Sequence, residues 1–264
     1  MNTEEDTASI ILTIYNQEST IAMIFLGIVE NISECTKEII CILDGCTDYS
    51  EYNLMQAIEK STVEIPIYVT YTPNINETLA NNVGLRLSKC KYSIIVQDDC
   101  LITEKDFDKR ILKPFKKFDN LLAVSGRDAV DMREENGRII FYNCSGYDVN
   151  TPRDVFGIRD GVNRGPLAFD NEKLKKLNYF DESFAPQNCD DADISLRGYT
   201  EFGYIVGSYV IDHKSEYWWG QTRRNPESSK MRDIAEDRNM KTIIKRHADY
   251  LAGPKHSEDI IIPE

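Results

Sequence analysis

The amino-acid sequence predicts an α/β protein with a mainly parallel sheet and helices on both faces. Three observations support this prediction. Short β-branched apolar runs, typical of buried strands, alternate with segments of helical periodicity over the first hundred residues. The connections between them are short, which favours parallel strands joined by right-handed crossovers. Acidic residues follow two of the strands, at the edge where open α/β sheets bind ligands.

The elements of the first hundred residues follow in a regular order. The apolar runs predict four strands, at Ser9–Tyr15, Glu38–Leu43, Pro66–Tyr71 and Tyr92–Val96. Helical spacing predicts helices at Ser19–Ile32, through Leu54 and Ile58, and at Asn76–Ser88. Ser19 is the expected N-cap of the first helix. Asp44 and the pair Asp98-Asp99 end two of these strands, so we expect them to share one edge of the sheet.

The pattern changes after residue 106. Helices are predicted at Phe107–Phe118, Asn171–Leu177, Asp190–Phe202 and Pro226–Tyr250. Strands are predicted at Leu121–Ser125, Arg138–Tyr142, Gly165–Phe169 and Tyr204–Asp212. We predict one domain over residues 1–214, with a first half at about 8–100 and a second half at about 101–214. Residues 215–264 are predicted to be an extension, an aromatic loop around Tyr217–Trp219 followed by a charged helix.

Composition excludes several classes of function. The net charge of −13 argues against nucleic acid as the main partner, because that affinity needs clustered Lys and Arg. The longest apolar runs are strand-sized, so no transmembrane segment is expected. With no signal peptide apparent, we expect a cytoplasmic protein, and a peripheral membrane location stays open. The odd number of seven cysteines, without a C-x-x-C pair, predicts reduced thiols. The basic stretch Arg223–Arg246 is either a solvated helical face or a surface for phosphates.

Three groups of residues are candidates for chemistry. Asp98-Asp99 places two carboxylates after a buried strand, where hard divalent cations bind, although Asp is also common in strand-ending turns. Asp190-Asp191-Ala192-Asp193 opens a helix, where the macrodipole favours acids, and the mutual repulsion of these acids suits a general base. His213 follows a strand and is either a metal ligand or a structural histidine.

The order of these segments resembles that of family 2 glycosyltransferases. The segment Ser9–Glu18 resembles their opening motif S-I-I-x-P-x-Y-N-x-E, and Ile42–Asp48 resembles D-D-G-S-x-D. The remaining similarities are Ala80–Gly84 to A-R-N-x-G, Tyr92–Asp99 to the strand and D-x-D motif, Phe180–Phe184 to F-D-E-x-F, Asp190–Arg197 to E-D-x-D-L-x-x-R, and His213 to a trailing histidine. The chain departs from these motifs with Asn81 for Arg, Gln97 for the first acid of D-x-D, Asp190 for Glu and Cys46 for Ser.

The resemblance implies a GT-A fold, which is Rossmann-like, and transfer of a sugar from a nucleotide-sugar donor to an acceptor hydroxyl with inversion. A UDP-sugar is the favoured donor, and the acceptor is a saccharide or another hydroxyl compound. The resemblance implies that the half at about 8–100 is the donor half and the half at about 101–214 the acceptor half. Mn²⁺ or Mg²⁺ is implied on Asp99 and His213, and Asp191 is implied as general base with Asp190 next in line. The residues implied in donor binding are Thr13, Tyr15, Asp44, Asn82, Gln97 and Asp98.

Two other functions fit parts of the sequence. A sugar-phosphate nucleotidylyltransferase would need a Gly-rich basic loop after the first strand, and Tyr15–Glu18 has none. A catalytically inactive glycan- or nucleotide-binding module is favoured by Gln97 and opposed by the joint presence of Asp99, Asp191 and His213.

Overall fold

The computed structural model describes residues 6–216, 219–220, 226–253 and 255–263. In this part of the chain the strands are β1 (Ala8–Ile14), β2 (Thr36–Asp44), β3 (Ile67–Thr72), β4 (Tyr92–Gln97), β5 (Leu101–Ile102), β6 (Leu121–Ser125), β7 (Asp128–Glu135), β8 (Arg138–Gly146), β9 (Val155–Arg159), β10 (Gly161–Val162), β11 (Leu167–Asp170), β12 (Ile205–Ser208), β13 (His213–Lys214) and β14 (Glu258–Ile261). The α-helices are α1 (Ile21–Asn31), α2 (Ser50–Lys60), α3 (Glu77–Leu87), α4 (Phe107–Ile111), α5 (Asn171–Lys176), α6 (Asp190–Phe202), α7 (Pro226–Arg246) and α8 (Ala248–Ala252).

A nine-stranded sheet forms the centre of the molecule, in the order β14-β9-β12-β6-β11-β4-β1-β2-β3. Strands β1 to β4 are parallel, β12 is parallel to β6, and β11, β9 and β14 are antiparallel to their neighbours. The strand order reverses beside β1, because β2 and β3 follow on one side of it and β4 lies on the other. Such a reversal leaves a crevice at the carboxyl ends of the strands.

Helices cover both faces of this sheet, as the sequence predicts. Ile10 and Leu12 of β1 pack in the same core as Phe25 of α1, and Ile11 packs on the opposite face with Ala80 of α3. This alternation follows from the two-residue period of a strand. A Cβ atom at Gly84 of α3 would lie 2.4 Å from Ile11 Cγ2, so only glycine lets this helix approach the sheet so closely.

Two details of the helices differ from the prediction. The helix predicted at Phe107–Phe118 is divided into α4 and a 3₁₀ turn at Lys113–Lys116, because Pro114 has no N–H for an α-helical hydrogen bond. The first helix begins at Ile21 with Thr20 at the N-cap position, and no side chain caps it. The prediction of Ser19 as N-cap is therefore wrong.

Strands β7 and β8 form an antiparallel hairpin in a second, three-stranded sheet with β10. The sequence predicts part of β8, at Arg138–Tyr142, and β7 was not predicted. Asn136 and Gly137 connect the two strands, and both have positive φ, 53° and 78°. An Asn-Gly pair between two strands is the typical signal of such a turn, so the hairpin could have been found in the sequence.

The described part of residues 215–264 is packed against the rest of the chain. Strand β14 extends the central sheet beside β9, and α7 and α8 lie against the second sheet and α6. The boundary predicted at residue 214 stays a prediction. None of the described helices combines the length and the apolar character needed to cross a membrane. All seven cysteines are free thiols.

Candidate active site

A cavity of about 560 Å³ opens at the carboxyl ends of β1, β2 and β4. Asp44, Asp99 and Asp191 all line it, although they are far apart in sequence. The strand-end placement of Asp44 and Asp99 predicts that these two acids share one edge of the sheet, and the resemblance implies Asp191 at the same site. Other predicted donor-binding residues line the same cavity, namely Thr13, Tyr15, Gln97 and Asp98.

Asp44 holds the loop that forms one end of the cavity. Its Oδ1 atom accepts hydrogen bonds from Thr72 Oγ1 at 2.8 Å and from the Ile75 N–H at 2.7 Å. Its Oδ2 atom accepts from the Asn76 N–H at 2.9 Å. A carboxylate offers about four acceptor sites, so about one remains for a ligand. Asn74 and Asn76 of this loop also line the cavity.

Two side chains at the end of β4 are held by their neighbours. Asp98 accepts hydrogen bonds from the Tyr15 N–H at 2.8 Å and from Gln17 Nε2 at 3.3 Å, which tie β4 to the segment after β1. Burial and the adjacent Asp99 raise the pKa of Asp98 well above its ordinary value. Gln97 Nε2 donates to Glu77 Oε1 of α3 at 3.2 Å.

Arg164 connects the acids of α6 to this strand end. Its Nη2 atom pairs with Asp190 Oδ1, Nη1 lies 3.3 Å from Glu77 Oε1, and Nε lies 3.9 Å from Asp191 Oδ2. Asp190 is fully buried and also accepts from Thr78 Oγ1 at 2.8 Å. Asp191 is partly exposed and lines the cavity. The two adjacent acids therefore have different surroundings.

Burial raises the pKa of Asp191 to about 6. Arg164 and the Ala192 N–H act in the opposite direction, and the carboxylates of Asp190 and Glu77 raise the value further. The sequence predicts the opposed contributions of the helix start and of Asp190, but not those of burial and Arg164, which are the largest. A carboxylate with this pKa is ionised at neutral pH and still accepts a proton readily.

Three of the predicted site residues do not line the cavity. Asn82 is buried, where its Nδ2 donates to the Phe180 carbonyl at 2.9 Å and its Oδ1 accepts from the Phe180 N–H at 3.1 Å. Asp190 lies behind Asp191, as described above. His213 is buried on β13, with Nδ1 2.8 Å from the Ile211 carbonyl oxygen and its ring 5.0 Å from that of Tyr147. These three residues contact other parts of the protein.

The family model for Glycosyl transferase family 2 matches residues 9–164, more than half of the chain. The chain belongs to glycosyl transferase family 2. No curated protein matches the sequence.

Solved structures of other glycosyltransferases share the fold. A structure of GalNAc-T7 with UDP, GalNAc and Mn²⁺ superposes with a TM-score of 0.61 at 12% identity, covering 80% of this chain and 45% of that one. Structures of S. aureus TarS give a TM-score of 0.50 for residues 1-349 in complex with UDP and of 0.52 for a second, longer chain. The UDP complex is 16% identical and covers 76% of this chain and 57% of that one. The second chain is 15% identical and covers 78% of this chain and 35% of that one. This member of the family therefore has the predicted GT-A fold, and it spans 45%, 57% and 35% of the lengths of these three chains.

Of the two predicted metal ligands, Asp99 lines the cavity and His213 does not, although the chain brings both to β5. Asp99 precedes β5 by two residues, and His213 pairs with Ile102 of β5. Within the described ranges, no three or more His, Cys, Asp or Glu side chains form a metal-binding cluster. A cation that takes one or two carboxylates and completes its coordination with substrate phosphates and water still fits this donor set.

Asn81 was not predicted as a site residue. It is buried, lines the cavity, and its Oδ1 accepts from Thr13 Oγ1 at 2.8 Å. This bond fixes the amide, and Nδ2 has no hydrogen-bond partner among the residues that the structure describes. A buried amide donor without a partner is costly and indicates a ligand or a water. The departure from A-R-N-x-G at this position was the available signal.

The predicted aromatic loop is described only in part. Tyr217 and Trp218 lie outside the described residues. The Trp219 carbonyl accepts from Gln17 Nε2 at 2.7 Å, and Gly220 lines the cavity. The chain after β13 therefore returns to the carboxyl end of β1.

Proposed function

We propose that this glycosyltransferase transfers a sugar from a UDP-sugar to an acceptor hydroxyl with inversion, and that Asp191 is the general base. The observation that carries the proposal is the single cavity that unites Asp44, Asp99 and Asp191. The nucleotide would lie at the ends of β1 and β2, and the general base lies at the start of α6. The reacting sugar would then lie between them. In-line displacement requires this arrangement, with the leaving group and the attacking hydroxyl on opposite faces of the sugar carbon.

The donor half of the cavity offers polar groups for the nucleotide. The remaining acceptor site on Asp44 would take an N–H of the base, and the unpaired Nδ2 of Asn81 would donate to the donor. Uracil is favoured because GalNAc-T7 and TarS, which share the fold, are both found with UDP. Guanine and thymine also present an N–H, so the preference for UDP over these nucleotides is part of what we propose.

Asp191 would take the proton of the acceptor hydroxyl as that oxygen bonds to the sugar C1 and the bond from C1 to the diphosphate oxygen breaks. The pKa of about 6 suits this step at neutral pH. Arg164 and Asp190 act as positioning residues, because Asp190 holds the guanidinium whose Nε lies near Asp191 Oδ2. Asp190 has no contact with the cavity, so its proposed role is to orient Arg164.

Asp99 and His213 would hold Mn²⁺ or Mg²⁺. Asp98 would hold the segment that follows β1 in place beside the cation. When bound, such a cation neutralises charge on the leaving diphosphate. GalNAc-T7, with the same fold, is found with Mn²⁺.

The test compares Asp191→Asn with the unchanged protein in UDP release from UDP-sugars, together with donor affinity. Loss of a general base should lower turnover by about 10²- to 10⁴-fold and leave donor affinity nearly intact. Glu201→Gln is the matched control, since this acid is exposed at the other end of the same helix. Full turnover in Asp191→Asn would show that the base lies elsewhere. Binding of UDP without release from any donor, in both proteins, would favour an inactive binding module.

A further inference from the structure

The side of the cavity beyond Asp191 carries most of the apolar side chains that line it, together with Arg232 and Glu236 of α7. Strands β7, β8 and β10, the start of α6, and α7 form this wall. Its apolar members are Val130, Met132, Phe141, Val162, Ala192, Met231 and Met240. Half of the sequence's six methionines are in this list. We refer to these seven residues as the methionine wall.

Met132 places the wall directly beside the proposed base. It is completely buried, and a Cβ atom at Gly161 would lie 2.8 Å from the Met132 Cε methyl and 3.7 Å from Ala192 Cα. The Met132 methyl therefore lies over β10, next to the residue that follows Asp191.

The outer part of the wall is exposed. Phe141 pairs with Met132 in the β7–β8 register, so the two side chains share one face of the hairpin. Phe141 is 48% exposed and Met231 of α7 is 59% exposed. Large apolar side chains exposed at the rim of a cavity are typical of an interaction site.

We propose that the acceptor carries an alkyl chain next to the hydroxyl that Asp191 deprotonates, and that the methionine wall binds this chain. The inference rests on the proposed function, since it assigns the acceptor to the Asp191 side of the cavity. A bare saccharide would leave the wall in contact with hydroxyl groups. An alkyl chain would instead remove the exposed parts of Phe141 and Met231 from water. The unbranched methionine side chains adapt to a flexible chain.

The methionine methyl groups provide a direct test. The intact protein, labelled with ¹³C at the methionine methyls and held with UDP and diamagnetic Mg²⁺, would be titrated with octyl β-glucoside below its micelle concentration. Methyl β-glucoside is the comparison, because it has the same sugar without the chain. Met23 and Met55, which are 40% and 45% exposed on α1 and α2, are internal controls for non-specific contact. Assignments come from single Met→Leu variants.

The octyl compound should shift the Met231 and Met240 signals, with half-saturation at least about tenfold lower than for the methyl compound. Met23 and Met55 should not move. Met231→Gln should weaken octyl binding by roughly three- to tenfold, and Met55→Gln should leave it unchanged; both sites are exposed, so both variants should fold. Equal half-saturation for the two glucosides, shifts at Met23 and Met55 alone, or no shift at all would overturn the inference. A separate UDP titration distinguishes this failure from failure of the proposed function, which would appear as absent UDP binding.

Discussion

The Gln97 amide donates a hydrogen bond to Glu77 Oε1 at 3.2 Å, and the same oxygen lies 3.3 Å from Arg164 Nη1. Gln97 occupies the first position of the D-x-D motif that the sequence resembles. A carboxylate there would face Glu77 and repel it, whereas the amide pairs with it. The departure from the motif therefore has a structural partner on α3, and Arg164 extends the chain of contacts to Asp191.

Replacing this amide by an acid should destabilise the protein. In Gln97→Glu two carboxylates would face each other, which raises the pKa of the introduced carboxyl in the folded state. A raised carboxylate pKa lowers stability above that pKa, so the effect should appear at pH 8 and fade as the pH falls towards 5. We expect a loss of roughly 0.5–1 kcal/mol in unfolding free energy at pH 8, measured by denaturant titration.

Gln56→Glu is the matched control for this substitution. Gln56 Nε2 lies 3.5 Å from Glu59 Oε2 on the exposed surface of α2. Water and salt screen this pair, so the control should change stability little at either pH. An equal loss in both variants would contradict the role given to Glu77.

The pH dependence of the reaction should reveal Asp191. Protonated Asp191 cannot accept the acceptor proton, so kcat/KM should fall as the pH drops below about 6. Glu77 raises the pKa of Asp191, so in Glu77→Gln the acidic limb of the pH profile, where kcat/KM falls, should move to lower pH. Glu59→Gln, an exposed acid on α2, should leave it in place. A limb that is unchanged in Glu77→Gln would argue against Asp191 as the titrating group.

Cation binding should depend on Asp99 and His213 and not on Gln97. Calorimetry of UDP binding should show enhancement by Mn²⁺ that Asp99→Ala abolishes and His213→Ala weakens. Gln97→Ala should largely retain it, because an amide paired with Glu77 contributes little to a hard cation. Equal losses in Asp99→Ala and Gln97→Ala would contradict this assignment.

The fold and the convergence of the acids could be predicted because their signals are local. The apolar runs of β1, β2 and β4 predict buried strands, and the carboxyl ends of parallel strands meet at one edge. Asp44 and Asp99 therefore had to approach each other. The resemblance, and not the strand pattern, implies Asp191 at the site, and Asp191 lines the same cavity.

Contacts between distant segments were not available from the sequence. The pairing of Asn82 with the Phe180 peptide and the ion pair of Asp190 with Arg164 join residues on separate elements, and no periodicity indicates them. The edge strand β14 was missed for a similar reason, since it consists of only four residues paired with β9. The methionine wall likewise forms only when β7, β10 and α7 come together.

The last prediction concerns the boundary at residue 214. Three buried acids of the acceptor half are neutralised or hydrogen-bonded by the C-terminal residues. Asp193 pairs with Arg246 Nη1 at 2.7 Å, Asp160 accepts from Tyr250 OH at 2.6 Å, and Asp131 accepts from Ser257 Oγ at 2.6 Å. Removing one partner of a buried charge costs about 3–5 kcal/mol, and a domain is stabilised by only about 5–15 kcal/mol.

A chain that ends at residue 214 should therefore fail to fold, although the resemblance covers nearly all of it. Tyr250→Phe is a milder test, because it removes only the hydroxyl and should cost about 1–3 kcal/mol in unfolding free energy. Tyr52→Phe is its control, since Tyr52 is exposed on α2 and should tolerate the change. Circular dichroism and thermal melting would follow all three proteins. A cooperative transition at the full-length melting temperature for the shortened chain would establish residues 1–214 as an independent domain and residues 215–264 as an appendage.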